Sequence, residues 1–127
     1  MIQMLAAVRV FVCTQPTDMR KGFDGLSGLA EHVLRQDPLS GHLFVFRNRA
    51  RNRLKVLYWD QDGLAIWYKR LERGTFQLPS DLLPADAQPV GAEISAGELS
   101  LLLGGIELAS VKRRKRYQHP AKSAKPR

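Results

Sequence analysis

The stretch LFVFRNRARNRLKVLYWDQDGLAIWYKRLERGTF, which runs from Leu43 to Phe76, carries most of the information about the fold. Its β-branched and aromatic residues predict strands at His42–Arg47, Arg53–Trp59 and Leu64–Arg70. Successive side chains of a strand point to opposite faces, and both faces of these strands are partly apolar. We therefore expect one face to pack on a helix and the other to meet a second element or a partner.

Turn residues within this stretch favour antiparallel pairing. The sequence Asp60-Gln61-Asp62-Gly63 predicts a tight turn between the last two strands, with Gly63 able to adopt a positive φ. A short further strand is predicted at Thr75–Leu78, after a turn at Arg73-Gly74.

Residues on either side of this stretch complete the predicted fold. Residues 8–14 (VRVFVCT) predict a first strand, and apolar residues at helical spacing predict a helix over 18–36, capped by Thr17 or Asp18. A proline-rich loop is predicted from Pro79 to Pro89, and Ser95 would cap a second helix over 96–104. The sequence thus predicts a small α+β protein with a mostly antiparallel sheet of four to five strands.

Three glycines recur every third residue on the first predicted helix, at Gly22, Gly25 and Gly28. Each costs up to about 1 kcal/mol relative to alanine in a helix. Two explanations stay open: another backbone approaches closely there, or the helix is irregular or starts late.

Positive charge is concentrated at the end of the chain. Residues 112–127 hold eight of the 20 Lys and Arg residues and no acid, which leaves 12 bases against 12 acids before them. We predict a single domain over 1–111, followed by a disordered basic tail over 112–127. Basic tails commonly add sequence-independent affinity for phosphate, so we assign to it the candidate nucleic-acid-binding residues Lys112, Arg113, Arg114, Lys115 and Arg116.

A second basic cluster lies between the first two strands of the Leu43–Phe76 stretch. Five positive charges fall within nine residues and no acid separates them, at Arg47, Arg49, Arg51, Arg53 and Lys55. In an extended conformation the four alternating arginines would lie on one side, where they could contact phosphates or guanine edges. Lys69, Arg70 and Arg73 are expected to extend this surface. The alternative is a solvated turn whose charges serve only solubility.

Aromatic residues flank the basic cluster at Tyr58, Trp59, Trp67 and Tyr68. They could stack on exposed bases, but aromatic residues in strands more often belong to the core or to cross-strand pairs.

Sequence features of an enzyme are weak. The three histidines are far apart, and no HExxH, CxxC, GxSxG or phosphate-loop pattern occurs. Asp60 and Asp62 could hold Mg²⁺, as in a nuclease, but this spacing is also ordinary turn chemistry. We predict no enzymatic activity and no cofactor or metal. The single Cys13 is expected to be buried in a reducing cytoplasm, and no signal peptide or membrane span is evident.

Two motifs resemble a known family. The segment PTDMRKGFDGL (Pro16 to Leu26) and the stretch from Leu43 to Phe76, with WYKRLERG intact, resemble the TnpB accessory protein of a bacterial insertion-sequence family. In that family a small protein is encoded beside a separate DDE-type transposase, and it is unrelated to the RNA-guided nuclease of the same name. The resemblance implies a role in transposition of a mobile genetic element, not a reaction mechanism.

Together, charge pattern and resemblance predict a non-enzymatic, DNA-associated accessory protein for transposition. Its expected partners are DNA, such as insertion-sequence ends, and the transposase or other proteins encoded by the element. The alternative is a protein-interaction module that bridges or regulates the transposase without binding DNA. In that case the leucine-rich, acidic segment 81–111 is a candidate docking surface, although its leucines are more simply explained as core.

Overall fold

Five strands form one mixed sheet in this computed structural model, which describes residues 8–104, 106–107 and 112–113. The strands are β1 (Val10–Cys13), β2 (Leu43–Arg47), β3 (Arg53–Asp60), β4 (Gly63–Arg70) and β5 (Gly91–Ile94). Their order across the sheet is β4-β3-β2-β1-β5. Only β1 and β2 pair in parallel, and the other neighbouring pairs are antiparallel. The predicted α+β class with a mostly antiparallel sheet is confirmed.

Helices cover both faces of the sheet. Helix α1 (Phe23–His32) joins the parallel strands β1 and β2, which need a crossover connection. Its Leu26 and Ala30 pack on Phe44 and Leu57 of one face. Helix α2 (Ala96–Gly104) lies in the core of the other face. We call the two sides of the sheet the α1 face and the α2 face. Each carries a buried apolar cluster that includes residues of its helix, which confirms that both sides of the sheet are packed.

Core residues of the α2 face come from strands, loop and helix together. Val12, Val45 and Val56 pack with Leu99 and Leu102 of α2. Both leucines are buried, which confirms that α2 closes the core. As predicted, Ser95 caps α2: its hydroxyl accepts from the Glu98 N–H, and the Glu98 carboxylate accepts from the Ser95 N–H.

Helix α1 starts later and ends earlier than predicted. Asp18 does not cap it, because the Asp18 carboxylate accepts hydrogen bonds from the N–H and the guanidinium of Arg20 instead. Gly22 is the residue before the helix and makes no side-chain cap. At the other end, Arg35 adopts a left-handed conformation with φ of 57°, which stops the helix before the predicted residue 36.

The turn between β3 and β4 lies at Asp60–Gly63 as predicted, but the positive φ falls at another residue than Gly63. Asp60 pairs with Gly63, and Gln61 has a φ of 60°, whereas Gly63 has no positive φ. The Asp62 N–H donates to the Asp60 carbonyl at 2.6 Å, a tight contact that places the reversal at Gln61.

The predicted strand at Thr75–Leu78 is wrong. These residues form no strand, although Phe76 and Leu78 are buried in the core of the α2 face. Their backbone groups bond instead to loop atoms and side chains: the Phe76 N–H donates to the Arg51 carbonyl and the Leu78 N–H to Asp81. The fifth strand is β5, which follows two short 3-10 turns at Pro79–Leu82 and Ala85–Ala87.

Residues of the predicted tail are described only at its start. Lys112–Arg113 form β7, which pairs antiparallel with β6 (Ile106–Glu107) in a separate two-stranded sheet. The rest of the tail lies outside the described residues. Within the described part of the chain, no helix is long and apolar enough to cross a membrane.

The three glycines of the α1 region have different surroundings. A Cβ at Gly25 would lie 3.0 Å from the Lys21 Cβ, so this glycine makes room for the Lys21 side chain rather than for another backbone. A Cβ at Gly22 or Gly28 would have nothing within 4 Å. Close approach of a second backbone therefore does not explain the spacing, and Gly22 marks the late start of the helix.

We predict that Gly28→Ala stabilises the protein. Gly28 lies inside α1 with open space around its Cα, and alanine loses less conformational entropy on folding. The free energy of unfolding should rise by about 0.5–1 kcal/mol in urea titrations. The control is Gly25→Ala, which must displace Lys21 and should gain less; equal gains would contradict this account of the two glycines.

Candidate nucleic-acid interface

Arg47, the first of the five clustered basic residues, is buried. It follows Val45 on the α2 face, where segment 76–82 covers it. Its guanidinium donates two parallel hydrogen bonds to the Asp81 carboxylate, at 2.7 and 2.8 Å, and a third to the Phe76 carbonyl at 2.8 Å. With 6% of its side chain exposed, Arg47 has little surface to offer to a partner.

Asp81 is the counter-charge that makes this burial possible. Burial alone would raise the pKa of Asp81, but hydrogen bonds from Arg47 and from the Leu78 N–H outweigh it and hold that pKa below its ordinary value. Arg51 adds to the same effect, with its guanidinium 3.7 Å from the carboxylate. One buried acid therefore holds Arg47 in place and attracts Arg51, whose side chain stays half-exposed.

The loop between β2 and β3 is a compact turn rather than an extended run. The Arg51 N–H donates to the Asn48 carbonyl, and Arg51 adopts a left-handed φ of 63°. Asn48 also accepts from the Arg53 N–H through its side chain and donates to the Asn52 side chain. Arg47, Arg49, Arg51 and Arg53 therefore do not line up on one side, which corrects the extended array expected from the sequence.

Lys55 is buried as well, but on the α1 face. Its ammonium donates to the carbonyls of Met19 and Lys21, at 2.8 and 2.9 Å, and lies 4.7 Å from the centre of the Tyr68 ring. These bonds hold segment 16–22 against the sheet, together with the bond from the Thr17 N–H to the Arg47 carbonyl. Its structural role is to bring the two sequence motifs into contact.

The contact between the motifs creates an open groove of about 480 Å³. One wall comes from Thr17–Arg20 and the other from Asn48, Arg49, Ala50 and Arg53. Arg20 is paired with Asp18 at 2.7 Å, and this pairing lowers the pKa of Asp18 to about 2. Arg49 is exposed and makes no ion pair with any described residue, so the groove has surplus positive charge.

A second groove of about 420 Å³ shares Arg53 with the first as a lining residue. Its other walls are Tyr68, Arg70 and Glu72. Arg53 and Arg70 are cross-strand partners on β3 and β4, and Arg70 is paired with Glu72 at 3.1 Å. We call the two grooves with their cations the basic surface, which comprises Arg20, Arg49, Arg53 and Arg70.

Lys69 and Arg73, which were also expected at the interface, line neither groove. Lys69 pairs with Leu54, whose side chain is in the core of the α2 face, so Lys69 lies on the other side of β4. Arg73 is exposed in the loop after β4. The backbone of Lys112 and Arg113 is in β7, while Arg114, Lys115 and Arg116 lie outside the described residues.

Arg20 was not expected from the sequence as a site residue. It belongs to the PTDMRKG motif, so the family resemblance marked its neighbourhood, but no periodicity connects it to the arginine loop. That connection depends on the buried Lys55 ammonium, whose partners are backbone carbonyls. Every residue type has a backbone carbonyl, so a hydrogen bond to one cannot be predicted from the residue types in the sequence.

Metal-binding groups do not come together in the described residues: no three His, Cys, Asp or Glu side chains form a cluster that could hold an ion. Asp60 and Asp62 lie at the β3–β4 turn, and no third acid among the described residues joins them in such a cluster. Cys13 is buried as predicted, and burial raises the pKa of its thiol.

Fold and surface define a small α+β protein with two arginine-lined grooves on one side of a mixed sheet. The chain belongs to the IS66 Orf2-like protein family, whose sequence profile matches residues 8–113. It is thus a transposition-associated accessory protein, as the two motifs indicated.

Two relatives come from Sinorhizobium fredii. The uncharacterized protein y4hO is 40% identical over 119 residues, covering 94% of this chain and 90% of the relative. The uncharacterized protein y4jC is 37% identical over 124 residues, covering 98% of this chain and all of the relative. No solved structure matches the chain.

We predict that Asp81→Asn destabilises the protein by about 3 kcal/mol at neutral pH, because it leaves the buried Arg47 charge without a counter-charge. The pKa of Asp81 is lowered in the folded state, so its contribution is complete above the unfolded pKa of about 3.9 and is lost as pH falls through the folded value. Chemical unfolding of both proteins from pH 7 to pH 3 should show the difference shrinking with acid.

The matched control is Asp86→Asn, which neutralises an exposed acid in the same segment and should change stability by less than about 0.5 kcal/mol. Equal effects of the two substitutions on stability would show that the Arg47–Asp81 pair does not hold segment 76–82 on the sheet.

Proposed function

We propose that this accessory protein contacts DNA directly through the basic surface, without catalysing a reaction, and thereby holds DNA for the transposition machinery. The observation that carries the proposal is the division of the arginine cluster. Arg47 and Lys55 are buried and hydrogen-bonded within the fold. Arg49 and Arg53 instead line a groove, and neither forms an ion pair with a described acid. Uncompensated arginines on a fixed scaffold suit phosphate contacts.

Rigidity of the loop supports this use. Arg49 sits in a turn closed by the Asn48 carbonyl and side chain, and Arg53 begins a strand. Little backbone entropy is then lost when a phosphate binds. The left-handed conformation of Arg51 costs of order 1 kcal/mol, and strain of this kind is common at binding sites.

Electrostatics across the basic surface favour a polyanion. Its four cations face two acids, Asp18 and Glu72, and each of these is already paired with one arginine. Binding of a nucleic-acid backbone would release condensed counterions, a gain that falls steeply with salt. Further affinity is assigned to the tail residues Lys112 to Arg116, whose charges add to it independently of DNA sequence.

A protein-bridging role without DNA contact is the second candidate. It is favoured by Leu82 and Leu83, two neighbouring leucines that are 61% and 47% exposed in segment 79–90. A protein partner such as the transposase could cover them. The two functions are compatible in one molecule, and direct DNA binding is what separates them.

The decisive experiment compares DNA binding by the full chain with that of an Arg49→Gln/Arg53→Gln variant across a range of salt. We expect the variant to bind duplex DNA roughly tenfold or more weakly, with the slope of log K against log[salt] smaller by about 2. A cognate insertion-sequence end and a random duplex, tested side by side, would show whether the protein selects its DNA.

A control variant, Arg9→Gln/Arg35→Gln, removes the same charge from two exposed arginines away from the grooves. It should keep most of the affinity. Equal losses of DNA affinity in both double variants would show that only net charge matters. Absence of DNA binding by the unaltered chain at low salt would favour the protein-bridging role instead.

A further inference from the structure

Tyr68 is a large aromatic residue whose ring is not packed in the hydrophobic core. The residue is 48% exposed, whereas Tyr58 and Trp67 pack against the core of the α2 face. Tyr68 belongs to neither core cluster. On an edge strand, an exposed ring of this size has more surface in water than packing requires.

The ring is nevertheless held in position. The Lys55 ammonium lies 4.7 Å from the ring centre, so this side of the ring faces a buried cation. Arg53 donates a long hydrogen bond of 3.5 Å to the Tyr68 hydroxyl. Lys55 is in turn fixed by two backbone carbonyls. The ring therefore has one side against the protein and half of its surface open to solvent.

The position of Tyr68 relates it to the grooves. It lines the second groove with Arg53 and Arg70, and Arg53 also lines the first groove. A chain of phosphates that follows Arg49, Arg53 and Arg70 would pass beside an open aromatic face. Aromatic rings beside cations that track a backbone are the means by which proteins bind unpaired strands, since every base has a face that can stack.

We propose that the basic surface binds single-stranded nucleic acid, with Tyr68 stacking on a base while Arg49 and Arg53 hold the adjacent phosphates. In a duplex the bases are stacked on one another and present only their edges in the grooves, so the open ring would have no partner. This inference rests on the proposed function and narrows its substrate to an unpaired strand.

The test compares oligo(dT) and oligo(rU) of about 10 nucleotides, a length within the range that single-strand sites cover, with a duplex of the same length. We expect the full chain to prefer the single strands at equal salt. The two strand types distinguish DNA from RNA as the natural source. Replacing the central bases of the oligo(dT) by abasic sites keeps every phosphate and should weaken binding about tenfold.

Two substitutions isolate the ring. Tyr68→Val, which keeps a strand-forming residue, should lose about tenfold in affinity for intact oligo(dT) and no longer distinguish it from the abasic strand. Its salt slope should stay unchanged, because no phosphate contact is removed. Tyr68→Phe keeps the ring and should bind within about twofold of the unaltered chain.

Several results would overturn the inference. Equal binding of intact and abasic strands by the unaltered chain does so without requiring any variant to fold. Tighter binding of the duplex, weakened by the Arg49→Gln/Arg53→Gln change but not by Tyr68→Val, would retain DNA contact and reject the unpaired strand. Failure of the unaltered chain to bind any of these nucleic acids would reject the proposed function as well.

Discussion

The buried ion pair between Arg47 and Asp81 is the interaction on which the surface organisation depends. A nearly buried arginine is tolerable only with a charged, hydrogen-bonded partner, and Asp81 supplies two parallel bonds. The pair fixes segment 76–82 on the sheet, and Phe76 of that segment bonds to the loop at Arg51. Loop and covering segment are therefore positioned as one unit.

Lys55 has the corresponding role on the opposite face. Its bonds to Met19 and Lys21 bring the first sequence motif against the second, and the groove between them exists because of that contact. Of the five clustered cations, Arg47 and Lys55 thus stabilise the segments around the grooves but do not line the grooves themselves. Charge density in the sequence overstates the positive charge available to a ligand, and it misses Arg20, which the fold adds to the groove.

Sequence patterns predicted the elements well where local physics dominates. The strands Arg53–Trp59 and Leu64–Arg70 match β3 and β4 within one residue at each end, and Ser95 caps α2 as its spacing with Glu98 indicated. The start of α1 was wrong because Asp18 bonds to Arg20 nearby. Residues 75–78 look like a strand because Phe76 and Leu78 alternate with polar neighbours, yet their backbone bonds to the Arg47–Asp81 pair instead of to a strand, and Arg47 lies 29 residues before Phe76.

The central claim is that Arg47 serves the fold while Arg49 and Arg53 serve a ligand. Side-chain NMR of the arginine Nε–Hε groups during titration with oligo(dT) tests it most directly, since each group reports separately. We predict that the Arg47 signal does not move when DNA is added, because its side chain is buried, while those of Arg49 and Arg53 shift. Two results would contradict this division of roles: an Arg47 signal that shifts as much as those of Arg49 and Arg53, or the absence of a shift in all three signals.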